Sequence, residues 1–210
     1  MGIRTKIDID LADVDADGIA ESQSLVGAGS LTLDGVLVAG GLATLDYARQ
    51  ISVTSAGNDS GITFTVTGTD YNDKALAETI TGGNVAAVET TGYFKTVTDI
   101  AGSGATASTV TAGTVDEASS QIVPLNGDYS STAAVLAVDV TGTINYTTQQ
   151  TFDDLQGAVL SSQSAKWFDV DASKTADLIS VSTIGATGVR LIVNSYSSGA
   201  ELQLHVVQPF

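Results

Sequence analysis

Ile62-Thr63-Phe64-Thr65-Val66-Thr67 alternates apolar and threonine side chains without a break. Successive side chains of a strand point to opposite faces, so this hexapeptide predicts a strand with one buried and one wet face. Downstream, Thr69-Asp70-Tyr71-Asn72-Asp73-Lys74 predicts a polar turn that brings Leu76–Ile80 back against it. Glu78 shares a face with Leu76 and Ile80 there, a conflict that a bulge or an edge position resolves. Upstream, Leu45, Tyr47, Ile51 and Val53 share one parity, with Arg49 as a polar member expected to snorkel at the rim. Leu31-Thr32-Leu33 and Val36-Leu37-Val38 flank Asp34-Gly35, which accepts positive φ angles and predicts a two-residue hairpin.

The same style continues to the end of the chain. Strands are expected at Tyr93–Ile100 and Thr109–Val115. Asp116–Ser120, Pro124 and Asn126-Gly127 then punctuate the sequence. Val135–Val140, Thr143–Thr148, Lys166–Val170, Ile179–Ile184, Val189–Val193 and Leu202–Val207 read as a second set of strands. The fold class expected is all-β: two small β-sandwich or barrel-like domains with little helix, residues 1–120 with an extended N-terminal arm and residues 121–210. A helix is expected only around Asp153–Ser164, where Leu155 and Val159 stand four apart and Gly157 interrupts. Thr-Gly pairs recur at irregular spacing, so they mark strand ends instead of a solenoid repeat.

Composition narrows the function. The 210 residues are 43% hydrophobic and 15% charged, with 24 Asp and Glu against 8 Lys and Arg, a formal charge of −16. Phosphate neutralisation is nearly unavailable to such a chain, so nucleic acid is not an expected partner, and anionic lipid surfaces repel it. A partner with a basic patch attracts it. The absence of cysteine removes disulfides, thiolate metal sites and thiol nucleophiles. No run approaches the roughly 18 apolar residues of a membrane span, and the N-terminus lacks an apolar signal core, so synthesis in the cytoplasm is expected.

Several constellations could carry chemistry. Asp13-Val14-Asp15-Ala16-Asp17-Gly18 matches the start of a calcium loop, with carboxylates at positions one, three and five and glycine at six. The twelfth position is Ser24 where a bidentate glutamate belongs, and the flanks read as strand and loop. The competing reading is a solvated acidic turn, so Asp13, Asp15 and Asp17 stand as calcium candidates without a committed metal site. His205, the single histidine, alternates with inward Leu204 and Val206 and should face outward; no Gly-x-Ser-x-Gly elbow offers it a nucleophile. Asp153-Asp154 and Asp169 with Asp171 are acid pairs of the kind glycosidases place about 5 to 10 Å apart. Aromatics are only 6% of residues, and Trp167 with Phe168 reads as a core anchor. Gly27-Ala28-Gly29 and Gly102-Ser103-Gly104 lack the third glycine and the lysine of phosphate loops. The expectation is a non-enzymatic protein without catalytic or cofactor-binding residues.

Two stretches resemble structural proteins of tailed bacteriophages and prophages. The first comprises Asp17-Gly18-Ile19-Ala20, Gly29-Ser30-Leu31-Thr32-Leu33-Asp34-Gly35, the run from Ile51 through Gly57-Asn58-Asp59-Ser60-Gly61 to Asp70, Glu78-Thr79-Ile80-Thr81-Gly82 and Tyr93-Phe94-Lys95-Thr96-Val97. The second is Val140-Thr141-Gly142-Thr143-Ile144-Asn145-Tyr146-Thr147 with Thr151-Phe152-Asp153-Asp154 and Trp167-Phe168. The resemblance implies a virion location and a structural role, most directly a decoration or cement protein on the head. The partners it implies are the major capsid protein or other virion proteins, with a homotrimer as the assembly. The alternative it leaves open is a neck, tail or fibre protein touching a receptor or glycan through loops such as those of Tyr71 or Tyr196. The segment Met1 to Ile9 is the expected arm that adds a strand to a neighbour.

Overall fold

The computed structural model describes residues 3–125, 133–155 and 164–208. Every regular element among them is a strand, and the strands form two open sheets, of four and thirteen. The all-β, sandwich-like expectation is met. The Asn126-Gly127 turn and most of the expected Asp153–Ser164 helix lie outside the described residues.

The chain divides into two compact units, Met1–Asp13 with Glu117–Phe210, and Val14–Asp116. This differs from a division into residues 1–120 and 121–210 chiefly at the start of the chain. Ile3–Asp10 is a strand paired antiparallel with Glu201–Gln208 over its whole length, Ile3 opposite Gln208 and Asp10 opposite Glu201. The expected arm therefore belongs to a sheet of its own chain. The reason is the alternation Ile7, Ile9, Leu11, whose buried side chains extend the inward row of Leu202, Leu204 and Val206.

In the Val14–Asp116 unit the deciding hexapeptide forms Thr63–Thr69, with Phe64 and Val66 fully buried. It pairs without a register shift to Ala75–Thr81. Asp70 closes the turn by accepting hydrogen bonds from Asn72 N at 2.8 Å and Lys74 N at 3.1 Å. The Ala75–Thr81 strand ends its sheet order, so Glu78 sits at an edge. Its carboxylate reaches over the edge to accept from Thr91 N and Gly92 N, each at 2.8 Å. Phe94–Gly102 flanks Thr63–Thr69 on the other side and pairs in turn with Leu42–Ser55. Ile51, Val53, Phe94, Val97 and Ile100 complete the core.

Two local expectations fail in this unit. The hairpin turn is Gly40-Gly41, which joins Val38–Ala39 to Leu42–Ser55 with φ of +62° and +80°. Asp34-Gly35 is a docking point instead: a Cβ on Gly35 would lie 2.2 Å from the Gly18 carbonyl carbon, and Asp34 Oδ1 accepts from Glu21 N at 2.9 Å. Glycine is needed there for close approach, a requirement the dipeptide alone does not distinguish from a turn. Arg49 does not snorkel; it is 1% exposed, held by Asp46 and by the Val115 carbonyl.

The other unit contains the four-stranded sheet, in the order Ile3–Asp10, Glu201–Gln208, Val135–Thr141, Leu178–Val181, with antiparallel neighbours throughout. Leu136, Val138, Leu202, Leu204 and Val206 fill its inner face. Its second ladder runs Trp167–Lys174, Ile144–Thr151, Gly188–Tyr196, with Val123–Pro124 and the Ala118-Ser119 end of Val110–Ser119 along the last. Ile144, Tyr146, Leu191 and Val193 are buried there. All six strands expected beyond residue 121 are present.

Candidate interaction surface

Of the calcium candidates, Asp13 and Asp15 lie in irregular chain and Asp17 in a bend. Asp15 Oδ1 accepts from Asp17 N at 3.3 Å, and the Asp15 backbone exchanges bonds with Thr114. Asp13 Oδ2 accepts from Ser198 Oγ at 3.1 Å. Among the described residues no three Asp, Glu, His or Cys side chains are grouped as a metal ion would need.

Strand geometry separates Asp169 from Asp171. Asp169 stands opposite Gln149, whereas Asp171 stands opposite Thr148, so three residues of one strand face two of its neighbour. Such a bulge turns the two carboxylates to opposite faces, and the shared face expected from their spacing is lost. Asp169 Oδ1 accepts from Gln149 Nε2 at 2.9 Å. Asp171 turns toward the Tyr146 side, where burial, followed by Asp171 and Asp177, pushes the Tyr146 phenol up to about 12. Asp153 Oδ2 accepts from Lys166 N, and Asp154 is exposed.

Trp167 and Phe168 are not a core anchor. Phe168 is 43% exposed and packs edge-on against the equally exposed Phe152, ring centroids 5.8 Å apart, with Lys166 Nζ 5.3 Å from its centre. Trp167 stacks on the Arg190 guanidinium at 4.2 Å. Adjacent residues of a strand take opposite faces, so the two rings cannot share an inward face, and their strand is the terminal one in its sheet order.

The other sequence candidates are structural. Gly29 and Gly102 meet as ladder partners, bringing the two glycine pairs together along a strand edge. Tyr196 donates to Ala12 O, and the half-buried Tyr71 ring lies 5.4 Å from Lys95 Nζ. Burial, then Tyr47 and Asp46, raise the Tyr71 phenol; burial lowers the Lys95 ammonium, which donates to the Leu45 and Asp46 carbonyls.

What remains is the outer face of the four-stranded sheet, whose register lays it out in rows. Val181, Val135, Val207 and Arg4 form one row; Ile179, Ala137, His205 and Lys6 form the next. Neither row contains a carboxylate, in a chain of net charge −16. Asp139, Gln203 and Asp8 follow, then Thr141, Glu201 and Asp10. Ile179 and Val181 are 76% and 56% exposed, and a depression of about 380 Å³ opens among Ala137, Asp139, Asp177, Ile179 and His205. Cross-strand valines and isoleucines here are in van der Waals register, yet their outer sides meet water. No protein-family model matches the chain, and no curated protein matches it.

This corner escapes a search for alternation, because its strands are apolar on both faces. The signal was present. Val135-Leu136-Ala137-Val138 and Leu178-Ile179 are apolar at every position, a pattern of strands covered on both faces.

Proposed function

We propose that this chain is a non-enzymatic structural protein of a tailed-phage virion, coating the head by binding the major capsid protein in many copies. The observation that carries the reading is the carboxylate-free apolar corner of Val135, Ile179, Val181 and Val207 on an otherwise acidic molecule. An exposed patch of this kind, rimmed by polar groups, suits a protein interface. Acidic surroundings steer it toward a basic lattice, and repetition across a shell converts modest contacts into avidity. The phage-like wording of Ile51–Asp70 and Val140–Thr147 supports the same setting. No cofactor takes part.

Copy number per purified particle, measured by quantitative mass spectrometry against the major capsid protein, tests the reading. Hundreds of copies support a head coat. Absence from the particle overturns it.

The Phe152–Phe168 pair supports a second reading, a neck, tail or fibre protein that stacks a glycan on exposed rings. A count of three, six or twelve copies, with glycan binding abolished by Phe168→Ala, would favour it over the head coat.

A further inference from the structure

The Ile3–Asp10 strand is terminal in the order of its sheet. Its outward side chains, Arg4, Lys6, Asp8 and Asp10, read plus, plus, minus, minus from end to end. Edge strands commonly carry charge to block pairing, and a single sign throughout would do so. Here the sign changes at the midpoint, which makes the strand complementary to itself when reversed. We propose that two copies of this chain pair antiparallel along Ile3–Asp10, about a twofold axis through Ile7.

The register follows from the charges. With Ile7 opposite Ile7 of the second copy, Arg4 meets Asp10, Lys6 meets Asp8, and Thr5 meets Ile9. Sliding by two residues sets Lys6 against Lys6 or Asp8 against Asp8. Sliding by one turns the faces over. One register satisfies every charge, using two of the chain's eight cations. Lys6 and Asp8 already form an ion pair at 2.7 Å within the strand, with both side chains about half exposed or more, so the new neighbours extend it into a four-charge cluster. The interface is isologous, as twofold contacts are. The joined sheet has eight strands, and the two apolar corners lie near its far ends on the same face.

Exchange of partners tests this directly. Lys6→Asp puts four acids at the centre of its homodimer, and Asp8→Lys puts four cations there, so each variant should weaken its own dimer about tenfold or more in sedimentation equilibrium. An equimolar mixture of the two places each acid opposite a cation, and native mass spectrometry should show heterodimer at near wild-type affinity. An effect confined to one chain cannot produce that rescue. Added salt should weaken the wild-type dimer. A wild-type monomer or trimer, a salt-indifferent dimer, or a mixture without heterodimer overturns the proposal. Because these readings use purified protein, their failure is distinct from absence at the virion.

Discussion

Arg49 and Asp46, three residues apart in one strand, meet as a fork on a carboxylate: Nη2 lies 2.6 Å from Oδ2 and Nε 2.8 Å from Oδ1. Such neighbours normally point to opposite faces, and the register shift between Thr44 and Arg49 is what brings them together. Arg49→Ala removes both bonds to Asp46 and the bond to the Val115 carbonyl from a fully buried site, and should cost about 3 kcal/mol in urea unfolding, at the lower end for a buried pair because Asp46 is partly exposed. Arg49→Lys should recover only part of this, since an ammonium lacks the planar fork that grips both Asp46 oxygens while a third nitrogen reaches the Val115 carbonyl.

A Cβ on Gly68 would lie 1.8 Å from the Thr96 carbonyl oxygen, where the pairing of Thr63–Thr69 with Phe94–Gly102 slips register. Gly68→Ala should therefore lower stability by about 2 kcal/mol or more. Gly61→Ala, with no atom within 4 Å of the added carbon, should be neutral or slightly stabilising. Thermal unfolding of the two variants side by side checks both.

Val85 holds φ at +51°, a left-handed conformation hostile to β-branched residues. It is largely exposed, so little packing opposes its replacement. Val85→Gly or Val85→Asn should stabilise the protein by about 1 kcal/mol. A lower melting temperature in both would contradict this.

Tyr146 keeps its proton in the folded state up to about pH 12, whereas an unfolded tyrosine ionises near 10. The folded chain therefore binds more protons in that window, and stability falls as pH rises from 10 through 12. Tyr146→Phe should flatten this alkaline loss. At neutral pH it should cost about 1 kcal/mol for the bond to the Ala176 carbonyl. Denaturant titrations between pH 8 and pH 12 give both quantities.

Ile179→Ser with Val181→Ser removes the most exposed part of the apolar corner. Because these side chains already face solvent, unfolding should shift by no more than about 0.5 kcal/mol. Attachment to purified heads lacking the protein should fall sharply in a co-sedimentation assay. Undiminished attachment would move the contact elsewhere.

Strand positions were legible because alternation is enforced locally: Phe64 and Val66 had to share a face whatever paired with them. The turn around Asp70 was legible for the same reason. Long-range choices were not. Nothing within Ile3–Asp10 distinguishes pairing with Glu201–Gln208 from pairing with another chain, and no local pattern tells Gly35, needed for close approach, from Gly41, needed for a positive φ. The bulge opposite Thr148 is invisible in the spacing of Asp169 and Asp171, yet it decides where both carboxylates point. The apolar corner was half legible, in the unbroken apolar run of Val135–Val138.

The antiparallel ladder between Ile3–Asp10 and Glu201–Gln208 imposes an order on synthesis. Val14–Asp116 has left the ribosome long before the last strand exists, so that unit can complete its core first. Ile3–Asp10 must wait while roughly 190 further residues are made, about 10 to 40 s at ordinary elongation rates. Throughout that interval the partner that gives it a register is absent, and the strand emerges from the ribosome as an unclosed end awaiting its own tail.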